Sequence, residues 1–200
     1  MIVGRINFPK PQGLKCNMMP FIQGDPSSLP TEYRSYGGIV STTFLEWGSI
    51  GFLTIDESYV MTGTSQRGYS RMGAKRNVHV EVGRRTGKNR WGGGSWAGKG
   101  NVILDDDTEV LIANSISGTC RYWDVKEMAD TVDGDLAEHL HKYPEHTGNV
   151  MDAGEVARIS IFTPHECLPQ KHSGYRSFFR IVGKGVHGRE EYFTPNPLLK

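Results

Sequence analysis

Short runs of apolar residues, alternating with polar ones or rich in β-branched and aromatic side chains, recur along most of the chain. Each run is bounded by Gly, Asp, Asn or Pro, which is typical of strands joined by tight turns. The runs predict nine strands: Ile39–Phe44, Gly51–Ile55, Ser58–Thr62, Asn77–Gly83, Val102–Leu104, Glu109–Asn114, Thr119–Trp123, Glu155–Phe162 and Tyr175–Val182. So many short strands favour a mainly β fold, a sandwich or closed barrel.

One stretch has helical rather than strand spacing. Four apolar residues recur at i, i+3, i+4 and i+7, namely Val125, Met128, Ala129 and Val132. Gly134 would end this helix. The sequence Asp135 to Glu138 resembles a capping box and predicts a second short helix, which Pro144 would end.

The two parts of the chain differ in composition. Residues 1–37 are rich in Pro, Gly and Ser and predict an irregular N-terminal arm, whereas residues 38–200 predict a single β domain. With 200 residues, 37% hydrophobic and 22% charged, the chain is long and apolar enough to bury one core, which excludes a mainly disordered protein.

The termini and cysteines bear on location. The N-terminus lacks the apolar core of a secretory signal, and no apolar run approaches the ~18 residues of a membrane span. The three cysteines, Cys16, Cys120 and Cys167, are widely spaced and form no CxxC motif. We therefore expect an intracellular protein that is not secreted, with reduced thiols and no membrane partner.

Charge is unevenly distributed, although the net charge is only +1. The stretch Arg67–Arg90 holds eight Lys or Arg and one acid, and residues 101–155 hold thirteen Asp or Glu and three Lys or Arg. Two solvated faces of opposite sign explain this pattern and would suit a homo-oligomer. Alternatively, the basic stretch binds nucleic acid or another anionic partner through its phosphates.

The segment Asn77-Val-His-Val-Glu-Val82 alternates valine with polar residues, as in a half-buried strand. His79 and Glu81 then share one face. A His and a carboxylate in this relation can supply two ligands to one divalent metal, and a third ligand from elsewhere would complete a 2-His-1-carboxylate site. A polar strand edge facing solvent is the other interpretation.

Near the C-terminus, a predicted strand ends at a turn that presents His165. Its hairpin partner then places Arg176, Phe178 and Arg180 on one face. An arginine on the inward face of a barrel is a costly buried charge unless it meets a carboxylate. A dicarboxylic cosubstrate would supply one, through a bidentate pair. In the alternative interpretation, one or both arginines face solvent.

These motifs, in this order, resemble the double-stranded β-helix oxygenases that use Fe(II) and 2-oxoglutarate and belong to the cupin-like proteins. The resemblance implies a jelly-roll domain in which His79, Glu81 and His165 hold iron. It also implies that Arg176, with Arg180 beside it, binds the distal carboxylate of 2-oxoglutarate. The expected function is oxidation of an unknown, anionic or small-molecule substrate.

Two alternatives stay open. If the predicted strand register is wrong, Asp124 and His139 could act as metal ligands in place of the first pair. The domain could also lack catalytic activity, because many cupin-like barrels serve as binding modules or as structural subunits of larger assemblies.

Overall fold

The computed structural model describes residues 1–66, 76–85, 87–92 and 101–199, apart from the side chains of Arg84 and Arg85. In this part of the chain the fold is mainly β, as predicted. The strands are β1 (Ile2–Arg5), β2 (Lys15–Ile22), β3 (Ile50–Val60), β4 (Val82–Arg85), β5 (Lys88–Trp91), β6 (Ile103–Leu104), β7 (Glu109–Asn114), β8 (Cys120–Tyr122), β9 (Asn149–Val150), β10 (Glu155–Ser160), β11 (His165–Cys167), β12 (Gly174–Val182) and β13 (Val186–His187). The helices are α1 (Gly37–Thr42) and the 3₁₀ turns Pro26–Ser28, Thr31–Tyr36, Ala137–Lys142 and Glu145–Thr147.

The strand order is that of a jelly roll. The large sheet runs β1-β10-β7-β12-β3-β2, and a smaller sheet runs β11-β8-β9. Residues 77–81 pair with β11 through His79 and His165, which extends the smaller sheet by one strand-like segment. With β4, β5 and β6 left out because they belong to another sheet, eight segments remain in chain order from β3 to β12. They lie in the order 1-8-3-6 facing 2-7-4-5. This arrangement is the double Greek key of a jelly roll.

Three apolar clusters show how the layers stack. One lies on the outer face of the large sheet, where Phe21, Leu53 and Phe179 pack against the helical residues Tyr36 and Val40. The second lies between the large and smaller sheets and joins residues of both. The third covers the outer face of the smaller sheet, where Val78, Val80 and Trp123 meet Leu136 and Tyr143. A third sheet has four strands in the order β13-β6-β5-β4. Trp91, Val102 and Leu104, in or beside this sheet, belong to the second cluster.

Residues 1–37 are more regular than predicted. They contain β1 and β2, which extend the large sheet at its two edges. The sequence did not show a strand pattern here because Pro and Gly recur through the segment, and β2 itself contains Pro20. An edge strand tolerates proline because one side of its backbone has no strand to pair with. A register shift between Cys16 and Met19 further breaks the pattern in β2.

Two local predictions were wrong. The segment Ile39–Phe44 is not a strand but continues from a 3₁₀ turn into α1, because Ile39 and Val40 bury against the outer face of the large sheet. Residues 125–132 form no helix. Of the four periodic residues only Ala129 is buried, so their spacing did not mark a packed face. The second predicted helix is present as the 3₁₀ turn Ala137–Lys142.

The predicted strand Asn77–Gly83 is divided between the bridged segment 77–81 and β4, and, apart from Ile39–Phe44, the other predicted strands have boundaries within two residues of the observed ones. The prediction for β7, Glu109–Asn114, was confirmed residue for residue, and the two strands predicted around Asp56 form one strand, β3. Among the helices that the structure describes, none is long and apolar enough to cross a bilayer.

Candidate functional site

The strand-like segment 77–81 is held on both sides. On one side, His79 and His165 exchange backbone hydrogen bonds of 3.0 and 2.9 Å. On the other, Val80 N–H donates to the Gly134 carbonyl at 2.9 Å. Gly134 has φ +77°, and a Cβ there would lie 2.2 Å from the Val80 carbonyl oxygen, so only glycine fits this close approach. The segment is therefore hydrogen-bonded along both of its edges, and its side chains have a defined direction.

His79 and His165 stand side by side at the inner face of the smaller sheet. Their ring centroids lie 4.2 Å apart, and both residues are buried. His79 Nδ1 lies 2.6 Å from the Asn77 carbonyl oxygen, and His165 Nδ1 lies 2.9 Å from the Thr163 carbonyl oxygen. Since a carbonyl only accepts, each Nδ1 carries the proton and donates. In the neutral ring Nε2 then carries the lone pair, which is the tautomer of a metal-binding histidine.

Glu81 reaches the same place, as its position two residues after His79 predicts. Its side chain is 1% exposed, and Oε1 lies 3.7 Å from His165 Nε2. Arg180 Nη1 donates to Oε1 at 3.0 Å and to Oε2 at 3.1 Å.

Arg180 faces inward, which is one of the two interpretations that the sequence left open, and its carboxylate partner belongs to the protein. Besides Glu81, Nη2 donates to Thr54 Oγ1 at 3.1 Å, and the guanidinium lies over the Trp91 ring at 4.6 Å from its centroid. Thr54 was not singled out from the sequence. Trp91 was expected, as an aromatic beside the basic stretch, either to stack bases or to anchor a turn, and its contact with Arg180 was not predicted.

Arg176 also faces inward and is 3% exposed, yet its partners are neutral. Nε donates to Thr119 Oγ1 at 3.0 Å, and Nη2 donates to the Thr119 carbonyl at 3.2 Å. The side-chain carbonyls of Gln66 and Asn114 accept further hydrogen bonds. Within the described part of the chain no carboxylate pairs with Arg176, so its charge is solvated by dipoles alone.

The alternative ligands lie elsewhere. Asp124 is exposed, and His139 lies on a 3₁₀ turn with Nε2 at 3.8 Å from Asp130 Oδ2. No contact among the described residues joins Asp124 to His139. In the same residues, no group of three His, Cys, Asp or Glu side chains has the spacing of a metal site. Metal binding by either set therefore stays a prediction.

A second buried ionic cluster lies on the opposite face of β11. Glu166 accepts from Arg76 Nε at 3.1 Å and Nη2 at 2.8 Å, and from Arg121 Nη1 at 2.9 Å. Both guanidinium groups lie near the Trp123 ring, at 5.4 and 6.0 Å from its centroid. Sequence reasoning missed this cluster. The sequence did contain one indication of it. Glu166 follows His165 directly in a strand, so the two side chains had to project to opposite faces.

Five of the eight basic side chains in the stretch Arg67–Arg90 lie outside the described part of the chain, which excludes residues 67–75 and 86 and the side chains of 84 and 85. Of its described members, Arg76 is committed to Glu166. The expectation of a nucleic-acid partner is therefore not tested by the structure, and the same holds for a homo-oligomer.

No protein-family model matches the chain, and no curated protein matches its sequence. Among solved structures, the chain is similar to one described as a non-heme monooxygenase, ThoJ-Ni complex, with a TM-score of 0.34 and 13% sequence identity. The match covers 84% of this chain and 62% of that chain. The chain therefore spans less than two thirds of that protein, and a likeness this low carries no argument about function.

Proposed function

We propose that this protein is a non-haem Fe(II)-dependent oxygenase with 2-oxoglutarate as cosubstrate. The observation that carries the proposal is the arrangement of His79 and His165. Two buried imidazoles from adjacent strands touch each other, each with Nδ1 committed to a backbone carbonyl, and the buried Glu81 carboxylate lies beside them. Two imidazoles and one carboxylate are the donor set of the facial triad.

The chemistry of these donors fits a divalent metal. Histidine binds through the neutral ring, and the carbonyl contacts at Nδ1 fix both orientation and tautomer. Glu81 would supply the negative charge, with Arg180 as its outer partner. A bound Fe(II) would supply the electrons that activate dioxygen, and the protein groups bind and orient it.

For the cosubstrate, the two arginines are not equivalent. Arg180 is neutralised by Glu81, whereas Arg176 is a buried cation whose described partners are all uncharged. A buried charge without a counter-charge is costly, and a carboxylate relieves that cost through charge-assisted hydrogen bonds. We therefore assign the distal carboxylate of 2-oxoglutarate to Arg176, with Arg180 holding Glu81. The basic stretch near His79 in the sequence favours an anionic substrate.

An anaerobic titration tests the proposal. Metal-free protein is mixed with Fe(II) and then with 2-oxoglutarate, and the weak visible charge-transfer band of the chelate is recorded. We expect a saturable band in the wild type, its loss in His165→Ala, and its retention in His146→Ala, which removes an exposed histidine. In Arg176→Met, Fe(II) should still bind while 2-oxoglutarate binds at least tenfold more weakly. Failure of the folded wild type to bind Fe(II) would refute the proposal.

A second candidate is a non-catalytic jelly roll that serves as a binding or structural subunit. The observation that favours it is the bidentate contact of Arg180 with Glu81, which neutralises the carboxylate without a metal. In that case the protein retains no divalent metal, and light scattering detects a defined oligomer or a stable complex with another chain.

A further inference from the structure

Cys120 and Cys167 lie directly opposite each other in the smaller sheet. Cys120 is the first residue of β8, Cys167 is the last residue of β11, and the register pairs the two. Residues that are directly opposite in a sheet project to the same face. Both thiols are free in this structure, Cys120 buried and Cys167 partly exposed.

The hydrogen-bond pattern defines which kind of pair this is. Trp123 N–H donates to the Pro164 carbonyl at 3.0 Å, and Leu168 N–H donates to the Thr119 carbonyl at 2.9 Å. Hydrogen-bonded and non-hydrogen-bonded pairs alternate along an antiparallel ladder, so Cys120 and Cys167 form a non-hydrogen-bonded pair. Such pairs have Cα atoms roughly 4.5 Å apart, which lies within the 4.4–6.8 Å that a disulfide spans.

We propose that Cys120 and Cys167 form a peroxide-sensitive dithiol that is oxidised to a cross-strand disulfide. The proposal is independent of the metal site. It differs from the sequence-based expectation of isolated thiols, because residues 47 positions apart in the chain become neighbours only through the β8–β11 pairing.

The difference in exposure sets the order of the two steps. The Cys167 thiolate attacks hydrogen peroxide, the O–O bond breaks, and a sulfenic acid forms at Cys167 while the other oxygen leaves as water after taking up a proton. The Cys120 sulfur then attacks the sulfenic sulfur and displaces hydroxide, which leaves as water with the Cys120 proton. In total, two thiols are oxidised to one disulfide and one peroxide is reduced to two waters.

The bond would join two strands that are already paired and would close the chain between them into a loop. That loop includes residues 124–148, which cover the outer face of the smaller sheet. Because the two strands are already paired, the disulfide would close this loop without distorting the fold. We therefore expect the oxidised protein to have a Tm roughly 5–10 °C above that of the reduced protein.

The test treats the reduced, full-length protein with stoichiometric hydrogen peroxide at neutral pH. We expect thiol titration of the denatured product to fall from three thiols to one, since Cys16 lies apart on β2. Intact mass should decrease by two hydrogen atoms, and a non-reducing digest should yield one cross-linked peptide joining residues 120 and 167.

Three variants sharpen the test. Cys16→Ser should still form the bond. Cys120→Ala and Cys120→Ser should each stop at a sulfenic acid on Cys167 that dimedone traps. Dimers linked through Cys167, a bond to Cys16, or stable oxidation of Cys167 beside a free Cys120 in the wild type would each overturn the proposal. Because the wild-type result is decisive alone, a variant that fails to fold does not prevent the test.

Discussion

Glu81 and Glu166 are both almost fully buried carboxylates that contact arginine, yet they lie in different surroundings. Glu166 lies between two arginines and accepts three hydrogen bonds from them. Glu81, among the described residues, contacts Arg180 and has a histidine ring nitrogen at 3.7 Å. Both carboxylates pair with the fixed positive charge of arginine, but Glu81 also lies beside an imidazole, whose charge depends on protonation. By this comparison, the cluster around Glu166 stabilises the fold, whereas the cluster around Glu81 has the donors to bind a metal.

Removing the carboxylate charges one at a time should give the largest effects. Glu166→Gln removes the buried carboxylate that Arg76 and Arg121 share and leaves Arg121 only the exposed Glu145 at 3.4 Å, so it should cost about 4 kcal/mol in the free energy of unfolding. Glu81→Gln removes the carboxylate partner of Arg180 and should cost about 3 kcal/mol. Urea unfolding at pH 7 measures both. An equal or larger loss for Glu81→Gln would contradict the comparison.

The effect on Fe(II) affinity should have the opposite order, with the larger loss in Glu81→Gln. If Glu81 is a ligand, Glu81→Gln should weaken Fe(II) binding by about 100-fold or more, whereas Glu166→Gln should change it by less than about tenfold, because Glu166 faces the other side of β11. Anaerobic equilibrium titration below the unfolding temperature of each variant gives the two constants. Similar losses in both variants would mean that the effect comes from general loosening of the sheet.

In the ionic cluster around Glu166, a change of hydrogen-bond geometry should lower the free energy of unfolding less than the loss of a charge does. Arg76→Lys keeps the positive charge but loses the bidentate contact with Glu166 and the stacking on Trp123. We expect a loss of about 1–2 kcal/mol in the free energy of unfolding, compared with about 4 for Glu166→Gln. Lys88→Arg, at an exposed position of β5, is the matched control and should change stability by less than about 0.5 kcal/mol.

Glu127 is more exposed than Glu81 and Glu166, and we expect its carboxylate to contribute the least of the three to the free energy of unfolding. Partial burial raises the pKa of Glu127, but hydrogen bonds from Lys142 and Tyr143 outweigh it, so the pKa lies below its usual value. This contribution to stability is therefore complete above pH 4.5, the usual pKa, and is lost as the pH falls through the lower folded-state pKa. Solvent screening keeps it below about 1 kcal/mol. The difference in unfolding free energy between wild type and Glu127→Gln should shrink correspondingly in acid.

The sequence was informative where burial alternates along a strand. The alternation predicted that His79 and Glu81 share a face and that Arg176 and Arg180 share a face, and the structure has both arrangements. Whether the arginines point inward was left open, and the structure buries both. The sequence could not predict the partner of each arginine, because Glu81 meets Arg180 only through contacts between the two sheets. It also misread residues 125–132, where apolar spacing occurs without burial, and β2, where proline hides an edge strand.

Strand β11 has only three residues, and each contributes to a different cluster. His165 belongs to the imidazole pair, Glu166 to the outer arginines and Cys167 to the thiol pair. An insertion or deletion of one codon here would exchange the two faces and disrupt all three clusters together. Related chains should therefore vary in length outside this strand, in the loop of residues 168–173 or in the long connection between β8 and β9. A deletion scan read out by expression of folded protein would map that boundary.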